Sequence, residues 1–489
     1  MDRRDFLKLA SSTTFTALIP HLVLGAAELS AKKLNFVFIL IDDMGWADSG
    51  CYGSTFYETP NINKLAAQGM RFTNAYAACP VCSPTRASIL TGKYPARINL
   101  TDWIPGRQSY GPLTSEKLIG PKFRQQMSLQ ELTMAEAFKQ AGYNTCFIGK
   151  WHIGDEMYYP EYQGFDINIG GTSYGWPYGG YFSPYKNPKL KDGPEGEYLT
   201  DRLTDEALKF LDDNKNKHFL LYLSHYAVHD PLQSKKDITK KYEAKATALP
   251  PKGPRFAPEG DKMARQVQDH PVYAGMIHSM DESVGRVMTK LDEMDVADNT
   301  VVIFMSDNGG LSTSEGLPTS NVPLRAGKGW LYEGGIREPL IIKWPNVVKA
   351  STVCHEPVIS NDFYPTMLEM AHLPQLPNQH LDGLSIVPLL RQTSRLNRNA
   401  LYWHYPHYSN QGGRPGSAVR SGEYKLIEFF EDNHVELYNL KDDIGEKHDL
   451  SAEMPEKTAE LRKMLQQWRK SVNAKMPSDN LEYIPNLET

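Results

Sequence analysis

The sequence predicts an α/β fold, with a large mixed, mostly parallel sheet flanked by helices and a smaller C-terminal α+β domain. Three observations carry this expectation. Continuous apolar runs of strand length, Asn35–Ile41 (NFVFILI), Phe219–Ser224 and Thr300–Met305, alternate with helical stretches, as buried parallel strands covered on both faces do. The runs stop at polar clusters: Asp42-Asp43 after the first, His225 to His229 after the second, and Asp307-Asn308-Gly309-Gly310 after the third. Lys150-Trp151-His152 follows the shorter run Thr145–Ile148 in the same way. Ligands gather beyond the carboxyl ends of parallel strands, so four separate loops point to one site. From about Leu376 the pattern changes. Ala418–Ile427 and Val435–Leu440 alternate like half-exposed antiparallel strands.

In chain order, residues 1–27 carry Arg3-Arg4 ahead of Phe6, Leu7 and Lys8, then a short apolar stretch ending at Gly25-Ala26-Ala27. This is an export signal with a twin-arginine look. Ser11 to Thr16 is too polar, and the apolar run too short, for a membrane span of about 20 residues. The expected organisation is a signal peptide over 1–27, a catalytic domain over 28–375 and a C-terminal domain over 376–489, in a protein exported to the periplasm or secreted. Ser128 and Glu131 read as a capping box opening a helix that runs to Tyr143. Thr200–Leu211 and His278–Met294 read as further helices, and Pro455–Asn473 as a closing one. Two stretches read as inserted connections, Gly164–Pro188, rich in Gly, Tyr and Pro, and Ser234–Glu259, rich in Lys and Pro. The first carries Tyr174, Trp176, Tyr178, Tyr181 and Tyr185, which suit a wall for stacking sugar rings.

Composition narrows the function classes. A chain of 489 residues with 40% hydrophobic residues, 37 Gly and 33 Pro is globular and can bury a sizeable core, which excludes disordered, collagen-like and disulfide-scaffold classes. With 53 Lys plus Arg against 58 Asp plus Glu, the net charge is −5. No broad positive field exists for non-specific nucleic-acid binding, so an anionic substrate must be met by local cations. The five cysteines, Cys51, Cys79, Cys82, Cys146 and Cys354, are too few for a disulfide framework, and their odd number leaves at least one without an intramolecular partner.

The chemistry is read from clusters. Asp42, Asp43, Asp307 and Asn308 offer only hard oxygens from two strand ends, which selects Ca²⁺ or Mg²⁺ over zinc, with crowded carboxylates favouring Ca²⁺. Lys150 and His152 lie two apart in an extended segment, so both side chains share one face and Trp151 turns to the core. His229 follows a strand, and Lys328 sits in Gly327-Lys328-Gly329. The most specific segment is Cys79-Pro80-Val81-Cys82-Ser83-Pro84-Thr85-Arg86, running on to Leu90-Thr91-Gly92. Pro84 suits a first helical turn, which puts Cys82 near the helix N-terminus and Arg86 one turn on. The dipole and the guanidinium both favour an anion there. Cys79-x-x-Cys82 lacks the thioredoxin-like context of strand, motif and helix with a small domain, and no second Cys or His pair has the spacing to complete a zinc site.

Cys82-Ser83-Pro84-Thr85-Arg86 resembles the C-x-P-x-R signature of the type I sulfatases, with Thr85 where the commonest form has Ser, and the resemblance extends from about Asn35 to Leu440. It implies an alkaline-phosphatase-like α/β core and a sulfuric ester hydrolase whose Cys82 is converted to formylglycine. It implies one Ca²⁺ per chain, held by Asp42, Asp43, Asp307, Asn308 and the modified Cys82. In this family the hydrate of formylglycine attacks sulfur, so the resemblance assigns Asp307 to assist the attack and Arg86, Lys150 and Lys328 to hold the developing charge. It assigns His229, with Lys328, to protonate the departing alcohol, and His152 to expel sulfate by deprotonating the second hydroxyl. A sulfated carbohydrate or polysaccharide is the expected substrate. A cytoplasmic formylglycine-generating enzyme is the expected maturation partner, acting before folded export; neither nucleic acid nor a stable membrane span is expected. The alternatives are a phosphate ester hydrolase of the same superfamily, a generic arylsulfatase, and a carbohydrate-binding protein without activity.

Overall fold

In the computed structural model, residues 33–111, 113–249 and 253–485 are described. The expected leader over 1–27 lies outside them. Nine strands form the main sheet: β1 (Asn35–Ile41), β2 (Met70–Tyr76), β3 (Asn144–Gly149), β4 (Ile167–Ile169), β5 (Phe219–Ser224), β6 (Thr300–Ser306), β7 (Arg337–Lys343), β8 (Thr352–Cys354) and β9 (Val358–Ile359). The spatial order is β8-β2-β7-β6-β1-β5-β3-β4, with β9 also on β2. All neighbours are parallel except at β7, which runs against both β2 and β6.

The apolar runs become central strands because both their faces are covered. In β1, Val37, Ile39 and Ile41 pack into one core with helices Pro60–Gln68, Leu199–Asp213 and Pro271–Glu293. Phe36, Phe38 and Leu40 pack into the other, with helices Met134–Gln140 and Phe363–Met370. Strand alternation with burial on both sides needs no polar residue until the strand ends. There it meets Asp42.

Two expectations fail locally. The helix expected from Ser128 starts instead at Thr133, whose side chain accepts from the Glu136 N–H while Glu136 reaches back to the Thr133 N–H. The same Ser/Thr-x-x-Glu spacing occurs twice, and the one that precedes the apolar Met134, Ala135 and Phe138 wins; Glu131 instead pairs with Lys93 at 2.6 Å. Ser234–Glu259 is no bare connection, because Lys236–Ala248 is a helix of 13 residues that buries Ile238 and Tyr242.

The C-terminal part forms an antiparallel sheet, β10 (Leu401–Tyr405), β11 (Gly416–Ser421), β12 (Tyr424–Phe429) and β13 (Val435–Asn439), closed by helix Pro455–Ser471. Trp403 of β10 donates to the Ala77 carbonyl at 2.8 Å and meets Tyr76 edge-on. A buried ion network joins the two sheets. Lys425 lies 3.0 Å from Glu333 and 2.9 Å from Glu446, and Arg337 lies 2.9 Å from Glu333. No helix among the described residues is long and apolar enough to cross a membrane.

Removing one partner from a buried ion network leaves uncompensated charge and costs about 3 to 5 kcal/mol. Lys425→Met is therefore expected to lower the unfolding midpoint strongly in a thermal or urea titration, with the loss concentrated in docking of the C-terminal sheet. A midpoint unchanged from the parent would show that Glu333 and Glu446 do not need the ammonium.

Candidate active site

The clusters meet at one end of the sheet. β1, β3, β5 and β6 run parallel, so Asp42-Asp43, Lys150 to His152, His225 to His229 and Asp307-Asn308 emerge side by side. β7 runs the other way and begins where its neighbours end, which delivers Lys328 from the segment before it. Cys82 follows β2 and opens helix Cys82–Thr91, all ten residues of which are buried. Gly92 ends that helix at φ +67°, a left-handed conformation that glycine adopts without strain. The Thr85 hydroxyl donates to the Cys79 carbonyl at 3.0 Å and reaches Val81 O at 3.4 Å, so the hydroxyl at this position fastens the turn that presents Cys82.

The residues fall into two layers. Cys82, His152, His229 and Lys328 line a cavity of about 300 Å³, together with Trp103, Trp176, Asp230, Glu315, Asn410 and Gln411. Beneath them Asp42, Asp43, Asp307, Asn308, Arg86 and Lys150 are almost fully buried. Lys150 Nζ donates to Asp42 Oδ2 at 2.6 Å, and Lys328 Nζ to Asp43 Oδ2 at 2.8 Å. Arg86 acts as a strut: Nε donates to Asp307 Oδ2 at 2.8 Å, while Nη1 donates to the Lys150 carbonyl and the Ser224 hydroxyl, each at 2.7 Å. Asn308 Nδ2 donates to Asp43 Oδ1 at 2.7 Å, and the Asp43 N–H to Asp307 Oδ1 at 3.2 Å. Two buried oxygens, Asp42 Oδ1 and Asn308 Oδ1, accept no hydrogen bond.

Electrostatics follow this crowding. Burial pushes the Asp42 carboxyl up to about 8 against the pull of Lys150, with Asp307 and Asp43 adding to the rise. At Asp43 burial also pushes upward, but Lys328 and His229 outweigh it and hold the carboxyl below its usual range. Burial and Lys328 push His229 down, yet Asp43 and Asp42 prevail and raise it to about 9. Its Nδ1 lies 2.7 Å from Asp230 Oδ1. Burial, with Lys150 adding, holds His152 well below the ordinary imidazole value. The His152 Nε2 faces the Ile104 carbonyl at 2.5 Å, and a carbonyl can only accept. The proton of the neutral ring therefore sits on Nε2, and the Nδ1 lone pair faces Cys82 Sγ at 3.3 Å.

Both Lys150 and His152 turn toward the site with Trp151 in the core, but not by strand alternation. His152 has φ +58°; the chain turns there through a left-handed residue. His225 is buried away from the cavity, where its Nε2 pairs with the Ser283 hydroxyl at 2.9 Å and burial lowers it to about 4. His404 is tied to Ser417 and to Lys475 O, and His407 to Thr101, so neither lines the cavity. Their neighbours Asn410 and Gln411 do. The aromatic segment divides: Trp176 lines the cavity and Tyr178 stacks between it and Tyr174, whereas Tyr181 and Tyr185 are buried in the core. All five cysteines are free thiols. Sequence reading missed Trp103, Glu315, Asn410 and Gln411, which stand in loops without periodicity or motif.

A thiol at a helix N-terminus, above buried carboxylates and matched cations at the ends of parallel strands, is a setting that suits an anionic ligand. The family model described as Sulfatase matches residues 34–373, and the one described as N-sulphoglucosamine sulphohydrolase, C-terminal, matches residues 326–473. A sulfatase of Formosa agariphila is 33% identical over 87% of this chain and 85% of its own length. Human N-acetylgalactosamine-6-sulfatase is 31% identical over 76% of this chain and 68% of its own. The solved structure of Ps i-CgsB is 30% identical and covers 89% of this chain and 93% of its own, with a TM-score of 0.72; the same protein has also been solved in complex with k-i-k-neocarrahexaose. The chain belongs to the sulfatase family, and it is a sulfuric ester hydrolase.

Gly175 sets the position of His152. A Cβ built on it would stand 2.6 Å from His152 Cε1 and 2.7 Å from Nε2, so Gly175→Ala has to shift the ring from its present place beside Cys82. Misplacing an active-site group by about 1 Å can cost on the order of 10²-fold in rate. A fall of that size in kcat, with the unfolding midpoint unchanged, is the expected result; an unaltered kcat would show that the ring position is not critical.

Proposed function

We propose that this chain is a calcium-dependent sulfatase that removes sulfate from a sulfated carbohydrate through a formylglycine made from Cys82. One observation carries the reading: Cys82 faces the Nδ1 lone pair of His152 over a carboxylate cluster in which two buried oxygens accept no hydrogen bond. Those oxygens, on Asp42 and Asn308, are what a hard cation site requires. Bound Ca²⁺ would be held by Asp42, Asp43, Asp307, Asn308 and residue 82, and would supply Lewis-acid polarisation of a sulfate oxygen. The Cys82 thiol stands in for formylglycine, whose hydrate supplies an oxygen nucleophile where sulfur now sits.

This chain's own groups do the rest. Lys328 lines the cavity and places an ammonium beside the ester. Lys150 is wholly enclosed, so it acts on charge through Asp42, and Arg86 holds Asp307, Ser224 and the Lys150 carbonyl in register. His229, protonated at neutral pH, is suited to donate a proton to the leaving oxygen at the mouth of the cavity. His152, neutral, is suited to accept one at Nδ1 from residue 82. Trp103 and Trp176 offer apolar faces for a sugar ring, and Asp230, Glu315, Asn410 and Gln411 offer partners for its hydroxyls. The complex of Ps i-CgsB with k-i-k-neocarrahexaose supports a carbohydrate substrate.

The proposal includes an export leader over 1–27, domains over 28–375 and 376–489, and maturation in the cytoplasm before folded export. A peptide map of exported protein is expected to show formylglycine at position 82; unmodified cysteine in every molecule would refute that order of events.

Cys82→Ala is expected to lower kcat/KM on sulfate esters by at least about a thousandfold, and the intact mass of active parent protein is expected to carry the cysteine-to-formylglycine change. Desulfation that survives in the variant would sink the assignment. Stripping divalent cations with a chelator is expected to abolish turnover, with Ca²⁺ restoring it better than Mg²⁺. A matched panel of sulfate and phosphate esters separates the sulfatase from a phosphate hydrolase by the ratio of kcat/KM.

A further inference from the structure

A second cavity, of about 650 Å³, opens between β2, the start of β7, the segment joining β8 to β9 and the C-terminal sheet, and it shares no lining residue with the active-site cavity. Six cations line it: Arg71, Arg337, Arg395, Arg398, Arg420 and Lys441. Three of them are answered by carboxylates, Arg337 by Glu333 at 2.9 Å, Lys441 by Glu423 at 3.1 Å, and Arg398 by Asp362. The other three are held differently. Arg71 lies over the Tyr52 ring at 5.1 Å, and Arg420 lies over Tyr76 at 5.3 Å while donating to its hydroxyl and to the Gly422 carbonyl. Arg395 is exposed, and no described carboxylate lies within ion-pair reach of Arg71, Arg395 or Arg420.

An aromatic face steadies a guanidinium without cancelling its charge. Four carboxylates, Glu333, Asp362, Glu356 and Glu423, pair with or line this group of six cations, so a local positive excess persists in a chain of net charge −5. Arg420 is 7% exposed and Arg337 3%; these two are built into the floor rather than scattered on the surface. Guanidinium forks bind planar or tetrahedral oxyanions through paired N–H donors. The cavity is also too large for one oxyanion and falls in the range that encloses a ligand of drug or disaccharide size.

We propose that this cleft is an exosite that holds sulfate groups of an anionic glycan chain at a distance from the active-site cavity. The inference rests on the reading that the substrate is a sulfated carbohydrate. A polymer bearing repeated sulfates can present one ester to Cys82 while another stretch of chain, or a second chain, engages Arg71, Arg395 and Arg420. The shared chemistry is a sulfate oxyanion, and its two sources are the polymer and the free sulfate released by turnover.

The test uses the full chain carrying Arg71→Gln and Arg395→Gln, two positions outside the active-site cavity, with Arg71→Lys and Arg395→Lys as the charge-conserving control. On a small aryl sulfate, kcat and KM are expected to stay at parent values. On a sulfated carrageenan hexasaccharide, KM is expected to rise at least about tenfold in the Gln variant and much less in the Lys variant. Binding of the same hexasaccharide is measured by calorimetry in the Cys82→Ala background, which needs no turnover, with an unsulfated agarose hexasaccharide as blank. A tenfold loss of binding in the Gln variant supports the exosite even if carrageenan is not desulfated, a result that would instead count against the proposed substrate. Hexasaccharide binding and KM that are both indifferent to the two substitutions would overturn the exosite. Sodium sulfate that binds the cleft as tightly as the hexasaccharide, with the same dependence on Arg71 and Arg395, would overturn the glycan assignment in favour of a product-anion site.

Discussion

Three carboxylates, those of Asp42, Asp43 and Asp307, are forced together, fully buried, at the ends of adjacent strands β1 and β6. Like charges at that spacing cannot all ionise unless cations of the same number stand among them. The fold supplies them from three other elements: Arg86 from the helix after β2, Lys150 from the end of β3 and Lys328 from the segment before β7. The strand order thus brings counter-charges into contact that lie far apart in sequence. What it does not satisfy is as informative. Asp42 Oδ1 and Asn308 Oδ1 remain without a donor, and burying unpaired oxygens is costly unless something else occupies the space.

The same constraint separates touching from holding. Arg86 spends its donors on Asp307, Ser224 and a backbone carbonyl, and Lys150 is sealed against Asp42. Neither touches the cavity itself, but their positive charge helps to keep His152 neutral at its wall. Cys82, His152, His229 and Lys328 face the cavity itself. The C-terminal part contributes to both layers. It sends Asn410 and Gln411 to the cavity rim, and its Lys425 and Glu446 fix Glu333 in the segment that carries Lys328.

The parts of this arrangement legible in the sequence are those that obey a local rule. Buried strands are continuous apolar runs, so β1, β5 and β6 could be placed almost to the residue, and the acids after them followed. The helix from Cys82 was legible from Pro84, and the extra methyl of Thr85 proves harmless because the hydroxyl alone makes the contacts to Cys79 and Val81. Where two local signals compete, the pattern alone cannot choose: Ser128 and Thr133 head the same box, and only tertiary contact of Met134 and Phe138 decides. The reversal of β7 was not legible, since an apolar run has no direction. Nor was the place of Asn410 and Gln411 at the cavity, which comes from loop placement.

How a cation is held also tells what it is free to do. Those of the active site are matched to carboxylates at hydrogen-bond distance, so their charge is committed first to the acids they hold in place. Those of the second cleft rest partly on tyrosine faces, where the ring stabilises the guanidinium by its quadrupole and leaves the monopole intact. An acidic protein acting on an anionic ester gains nothing from its long-range field, which at physiological salt decays over about 8 Å. Attraction must therefore come from uncommitted cations at short range. A fold that buries its matched cations and leaves aromatic-backed ones at a cleft separates the chemistry of the ester from the capture of the molecule that carries it.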